Sequence, residues 1–272
     1  MRQAYPGTQA VLRAVRLLKS FTPGRPTRGL AELSRESGLN RSTAYRLLTA
    51  LESEGLLERE AEGEGWRLGG VVVTLGATAL GATDLRAAAH VELTGLARST
   101  RETASLEVRA ADSVVVLEEA MGPHVVGTTP SVGERWPIHA TSTGKAILAH
   151  LPGPELDDLL GCTLPALTPR TITDPAALRR DLVRVRERGY AAAVEELEPG
   201  YVAVAAPVWG PGGRLVGALS VGGPRSRLPA ARIALLGGEV KASAARLSVR
   251  LGAPGGAPPR AGADSPRPRR RA

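Results

Sequence analysis

Two short amphipathic stretches hinged on one glycine restrict this chain more than anything else in it: about Leu30 to Ser37, then Gly38, then a helical pattern from Arg41 to Leu51. Gly38 suits a tight turn because glycine takes positive φ without steric cost, and Asn40 is a good helix cap. Helical spacing puts Ala44, Leu47, Leu48 and Leu51 on one face, to pack on the preceding helix, and turns Arg41, Ser42, Tyr45, Arg46 and Thr49 outward. A helix exposing two arginines, two hydroxyls and a tyrosine has the chemistry of the DNA major groove, where arginine binds guanine and hydroxyls reach phosphate oxygens. Ahead of this pair, Val11, Val15 and Leu18, with Leu12, Leu17 and Phe21 beside them, predict a first helix between a Thr8 cap and a Pro23-Gly24 stop.

Downstream, Gly55-Leu56-Leu57-Glu58-Arg59 and Trp66-Arg67-Leu68-Gly69 read as two short strands around a Gly-rich tip at Glu62-Gly63-Glu64-Gly65, the pattern of a wing. Its glutamates are unfavourable beside phosphates, so Arg59 and Arg67 are expected to carry the wing's contact. The candidate DNA-contacting residues are therefore Asn40, Arg41, Ser42, Thr43, Tyr45, Arg46, Thr49, Arg59 and Arg67. They belong to a first domain at 8–69, read as a winged helix-turn-helix.

A linker helix is expected over 70–83 and a second domain over 84–251. Leu85, Ala88, Ala89, Leu93 and Leu96 recur at core spacing, in a connecting helix of the kind that also builds dimer interfaces. Beyond it, Ser105 to Leu117, His124 to Thr129, Val202 to Val208 and Leu215 to Val221 read as strands. Helices are expected near Gly144 to His150, Glu155 to Leu160, Pro175 to Arg188 and Ala230 to Leu251. The fold class is α+β, with the second domain built around an antiparallel sheet.

The chain has 272 residues, enough for two domains, but only eight aromatics, so Ala, Val and Leu must fill the cores. One cysteine, Cys162, excludes an intramolecular disulfide and a cysteine zinc site, as expected in reducing cytosol. Met1 to Phe21 is amphipathic rather than a signal peptide, and the apolar stretch Val71 to Thr83 is too broken and short for a membrane span. A cytoplasmic protein with no membrane partner is the expectation. The net charge of +8 divides as +3 over 1–69, +1 over 70–251 and +4 over 252–272, so half of it sits on a Pro/Gly/Ala/Arg tail read as disordered. High basicity is thus poor evidence for DNA binding, and the motifs have to carry it.

Catalytic readings fail on their partners. Ser142-Thr143-Gly144-Lys145 contains Ser-x-x-Lys without a Ser-Asp-Asn or Lys-Thr-Gly. It also ends like a phosphate loop, but His139 and Ala146 stand where Gly and Ser or Thr belong. The histidines at 90, 124, 139 and 150 have no metal spacing, and adjacent Glu195-Glu196 would point to opposite faces of a strand. No catalytic residue, metal or cofactor is expected.

The stretch from Leu30 to Leu48, with Glu54-Gly-Leu-Leu-Glu-Arg and Trp66-Arg-Leu-Gly, resembles the DNA-binding domain of the IclR family of regulators. Leu117-Glu118-Glu119, Pro137-Ile-His-Ala-Thr-Ser-Thr-Gly-Lys-Ala146, Thr171-Ile-Thr-Asp174, Gly189-Tyr190, Glu195-Glu196, Ala205-Ala-Pro207 and Gly217 to Pro224 are similar to its effector domain in order and spacing. The resemblance implies a six-stranded, GAF-like sheet with a ligand pocket, and a homodimer or homotetramer on a palindromic double-stranded operator. It also implies that loop amides at Ser142 and Thr143 hold the acid group of a small organic acid effector. Ala193 and Ala203 replace polar groups common in the family, which implies a larger, partly apolar acid. Val125, Thr128, Tyr201 and Ser220 would line the same cavity. The alternatives are an enzyme acting on a small acid in that pocket, with Ser142 or Glu195 as catalyst, and an architectural DNA-binding protein with no ligand.

Overall fold

The computed structural model describes residues 8–22, 24–60, 65–80, 83–123 and 131–253, which divide into two compact units between Leu85 and Arg86. Val125, Thr128, the expected strand at 124–129, residues 62–64 of the expected wing tip and the basic tail beyond Ala253 lie outside the described residues.

The first unit holds α1 (Gln9–Lys19), β1 (Thr27–Gly29), α2 (Leu30–Ser37), α3 (Arg41–Ser53), β2 (Leu57–Arg59), β3 (Gly65–Leu68) and α4 (Gly70–Leu80). Gly38 takes φ 67° at the end of α2, and Asn40 accepts a hydrogen bond from the Thr43 amide at 2.8 Å to open α3. The β1 strand pairs with β3, and β3 with β2, in an antiparallel three-stranded sheet. Three residues of β1 are too few to show a period, so sequence reading found only β2 and β3. The core gathers Leu17, Phe21, Leu33, Leu48, Leu51, Leu57 and Trp66.

Two expectations change here. Leu47 packs on this core as expected but is only half-buried, while Leu48 is fully enclosed. On α1 Leu17 is buried and Leu18 partly buried, while Val11 is 64% and Val15 39% exposed.

The second unit contains most of α5 (Thr83–Thr100), then β4 (Thr103–Ala110), β5 (Ser113–Ala120), β6 (Arg135–Pro137), α6 (Ser142–Leu148), α7 (Gly153–Leu160), α8 (Pro175–Arg188), β7 (Ala191–Val194), β8 (Tyr201–Trp209), β9 (Leu215–Pro224) and α9 (Ala230–Arg250). One antiparallel sheet runs β6-β5-β4-β9-β8-β7. The stretch expected as one strand from Ser105 to Leu117 is a hairpin, turning at Ala111 with φ 59°. Alanine seldom adopts that conformation, so the usual Gly or Asn turn signal was missing.

Strand alternation gives the sheet two apolar faces. Ala205 and Ala218 pack with Ile147, Leu178 and Leu182 of α6 and α8. Intervening Val204, Leu219 and Val221 are fully buried on the other side, which α9 covers. Glu92 of α5 is 6% exposed and is held by Arg246 of α9 at 2.8 Å. Among the described residues, no helix is long and apolar enough to cross a membrane.

Candidate functional site

The exposed side of α3 is built as spacing predicted. Arg41, Ser42, Tyr45, Arg46 and Thr49 are exposed while Ala44, Leu48 and Leu51 are buried. Neither Arg41 nor Arg46 has an ion pair or side-chain hydrogen bond among the described residues, so both guanidiniums are available to an anion. Asn40 and Thr43 are engaged with each other in the cap.

Arg59 and Arg67 differ from that pair. Arg59 stacks 4.4 Å over Trp66, pairs with Glu52 at 3.3 Å and donates to the Tyr45 hydroxyl at 3.5 Å. Trp66 in turn donates its indole N–H to Glu52 at 3.4 Å. These contacts make Arg59 a brace between the sheet and α3. Arg67 pairs with Glu58 at 3.0 Å, both side chains largely exposed. Such a surface pair is worth at most about 1 kcal/mol and yields readily to a phosphate.

The second unit carries a cavity of about 920 Å³ on the α6 face of its sheet, within the size range of small-molecule sites. Ser142, Thr143, Ala193, Tyr201, Ala203 and Ser220 all line it. Two glycines, Gly144 behind the wall and Gly222 in it, allow close approaches there. A Cβ at Gly144 would stand 1.9 Å from the Ile138 carbonyl, so only glycine lets α6 close on that loop. A Cβ at Gly222 would stand 2.0 Å from the Tyr201 hydroxyl, which therefore lies over bare backbone.

Sequence reading missed the charged floor. Glu107 on β4 is 7% exposed and accepts hydrogen bonds from Thr143 Oγ1 and, at 3.0 Å, from Ser105 Oγ. Ser105 and Ser220 face each other across β4 and β9 at 2.8 Å. Burial pushes the Glu107 carboxyl above its usual range against those hydrogen bonds, and the nearby Glu119 charge pushes the same way. Burial, then the charges of Glu107 and Glu119, raises the Tyr201 phenol as well. The signal was present, since Ser105 and Glu107 are polar positions two apart in a strand and so share one face.

Lys145 does not point into the cavity wall as a catalyst. It is 1% exposed and reaches Glu196 at 2.6 Å and Asp181 at 3.0 Å. Burial alone would raise Asp181, but Lys145 and Arg184 hold it below its usual value, whereas burial outweighs Lys145 at Glu196 and raises it. Glu195 and Glu196 lie beyond β7, not in a strand, and Glu195 at φ 58° is held by Arg170 and Arg225 at 3.2 and 3.1 Å. No group of three or more metal-ligating side chains occurs among the described residues.

A helix-turn-helix with exposed arginines on one unit and a ligand-sized cavity on the other define a two-domain transcriptional regulator. Residues 10–61 match the IclR helix-turn-helix domain and residues 77–249 match the bacterial transcriptional regulator IclR C-terminal domain, so the chain belongs to the IclR family. It is 34% identical over 250 residues to the HTH-type transcriptional regulator XynR of Escherichia coli, covering 92% of this chain and 99% of XynR. The crystal structure of an IclR transcriptional regulator from Alicyclobacillus acidocaldarius is 31% identical with a TM-score of 0.76, covering 92% of this chain and all of that one. An IclR homologue from Microbacterium hydrocarbonoxydans, complexed with 4-hydroxybenzoate, is 29% identical with a TM-score of 0.77, covering 90% and 99%.

Proposed function

We propose that this chain is an effector-responsive, non-enzymatic regulator that docks α3 in the major groove of a palindromic operator as a dimer or tetramer. The observation that carries the reading is Arg41 and Arg46, unpaired among the described residues, on an exposed, Asn40-capped helix. Exposed apolar side chains on α1 and α4, Val11 at 64% and Val73 at 74%, support self-association. A small organic molecule in the cavity changes operator affinity by about 5- to 150-fold, the range of ordinary allosteric coupling. Its apolar part lies toward Ala193 and Ala203. An organic acid seated at Ser142 and Thr143 would bring a second carboxylate to the hydroxyl that Glu107 already holds. Glu107, more than the loop amides, therefore sets which head group the cavity accepts.

A protection footprint on DNA flanking the protein's own gene tests the reading. A protected palindrome that survives raised salt supports it, and diffuse protection lost with salt opposes it. Arg46→Ala is expected to weaken specific protection by about 1–3 kcal/mol without unfolding. Leu48→Ala is expected instead to cost about 2–5 kcal/mol of stability, read by thermal unfolding. Parental protection by Arg46→Ala removes α3 from the interface.

A further inference from the structure

We propose that the cavity selects an effector bearing a positively charged amine, seated against Glu107, rather than an acid or a neutral alcohol. The inference deepens the regulator reading and rests on it for the word effector.

The cavity is lined by five glutamates and three arginines among the described residues. Two of the arginines are committed. Arg227 forks onto Glu102 at 2.8 and 2.6 Å, and Arg135 donates to the Ala110 carbonyl at 3.0 Å and Ser113 Oγ at 2.8 Å. Arg101 is exposed. Among the described residues no cation lies within ion-pair distance of Glu107 or of Glu119, whose oxygens accept from the Ser131 amide and hydroxyl at 3.1 and 3.0 Å.

A buried ionised carboxylate without a counter-charge is expensive, and hydroxyl donors lower that cost without cancelling the charge. Both Glu107 oxygens already accept from Ser105 and Thr143, and Ser220 extends the chain of hydroxyls behind Ser105. What the arrangement lacks among the described residues is a cation. A ligand ammonium supplies it, and the Tyr201 hydroxyl, without a hydrogen-bond partner among the described residues, offers an oxygen to the same group. An anionic ligand meets the repulsion of two carboxylates instead.

The test is calorimetry on the full chain with three matched sets: phenethylamine, phenethyl alcohol and phenylacetate; benzylamine, benzyl alcohol and benzoate; putrescine, butanediol and succinate. The amine is expected to bind tightest in at least one set, by about 10- to 100-fold over its alcohol, the value of a charge-assisted contact. Glu107→Gln should level that difference while raising the ligand-free melting temperature, since it removes an unpaired buried charge. Glu119→Gln should reduce the amine preference in part. A carboxylate that binds tightest, an amine equal to its alcohol, no amine bound in any set, or selectivity unchanged in Glu107→Gln overturns the proposal. Footprinting with the tightest ligand separates the two readings. Protection unchanged by a saturating amine leaves the head-group assignment standing and removes the regulatory role, whereas protection shifted by a carboxylate keeps the regulator and discards the amine.

Discussion

Lys145→Ala is expected to destabilise the sheet domain by about 3–5 kcal/mol, the cost of breaking a buried ion pair from one side. The ammonium is 1% exposed and stands between Glu196 and Asp181, so its loss leaves two carboxylates facing each other inside the protein. That loss is a large part of the roughly 5–15 kcal/mol that holds a typical domain folded. The charge origin has a pH signature. Without Lys145, burial raises Glu196 further, and Asp181 keeps only Arg184 to hold it down. Protonation of Glu196 then relieves the pair, and stability is lost as pH rises through its raised folded value. The deficit should therefore shrink on going from pH 7 to the carboxylate range near about pH 4. Thermal unfolding at the two pH values checks this, and a deficit equal at both would assign the loss to packing alone. Replacing all three residues, as Lys145→Met, Asp181→Leu and Glu196→Gln, should recover most of the stability.

Trp66→Ala is expected to abolish operator binding while leaving ligand binding by the sheet domain intact. Trp66 is 1% exposed in the small core with Leu17, Leu33, Leu48 and Leu57, and its removal costs about 3–5 kcal/mol. A small domain has little stability to spare. The ring also carries Arg59, whose guanidinium lies 4.4 Å over it, and Tyr45, whose ring meets it edge-on at 6.2 Å. Its loss frees the side chains that hold α3 to the sheet. Footprinting and calorimetry on one preparation read the two domains separately. Parental protection by Trp66→Ala would show that the α3 face needs no brace, and Trp66→Phe should retain most of the packing.

What was legible in the sequence follows from local rules. Gly38, Asn40 and the apolar face of α3 are dictated by backbone geometry and helical period, so the exposed residues of that helix were readable. Helical period puts Leu47 and Leu48 both on the apolar side of α3, and which of them is fully enclosed depends on what packs there. Positions of Ser142, Thr143, Ala193, Tyr201, Ala203 and Ser220 around one cavity were reached through family resemblance, since the segments are far apart in the chain. The hairpin from β4 to β5 escaped because its turn uses Ala111 rather than glycine or asparagine.

The sequence by itself determined the helix-turn-helix, the sheet class of the second domain and the chemistry facing outward from α3, because capping, turn residues and side-chain period act within a few residues. Only the tertiary structure decided that Arg59 braces while Arg46 is exposed, that Lys145 is spent on two buried acids, and that Glu107 stands in the cavity floor without a cation among the described residues. Charge pairing is a property of distance in space, and residues as far apart as Glu107, Thr143 and Ser220 acquire it only when the sheet and α6 bring them together.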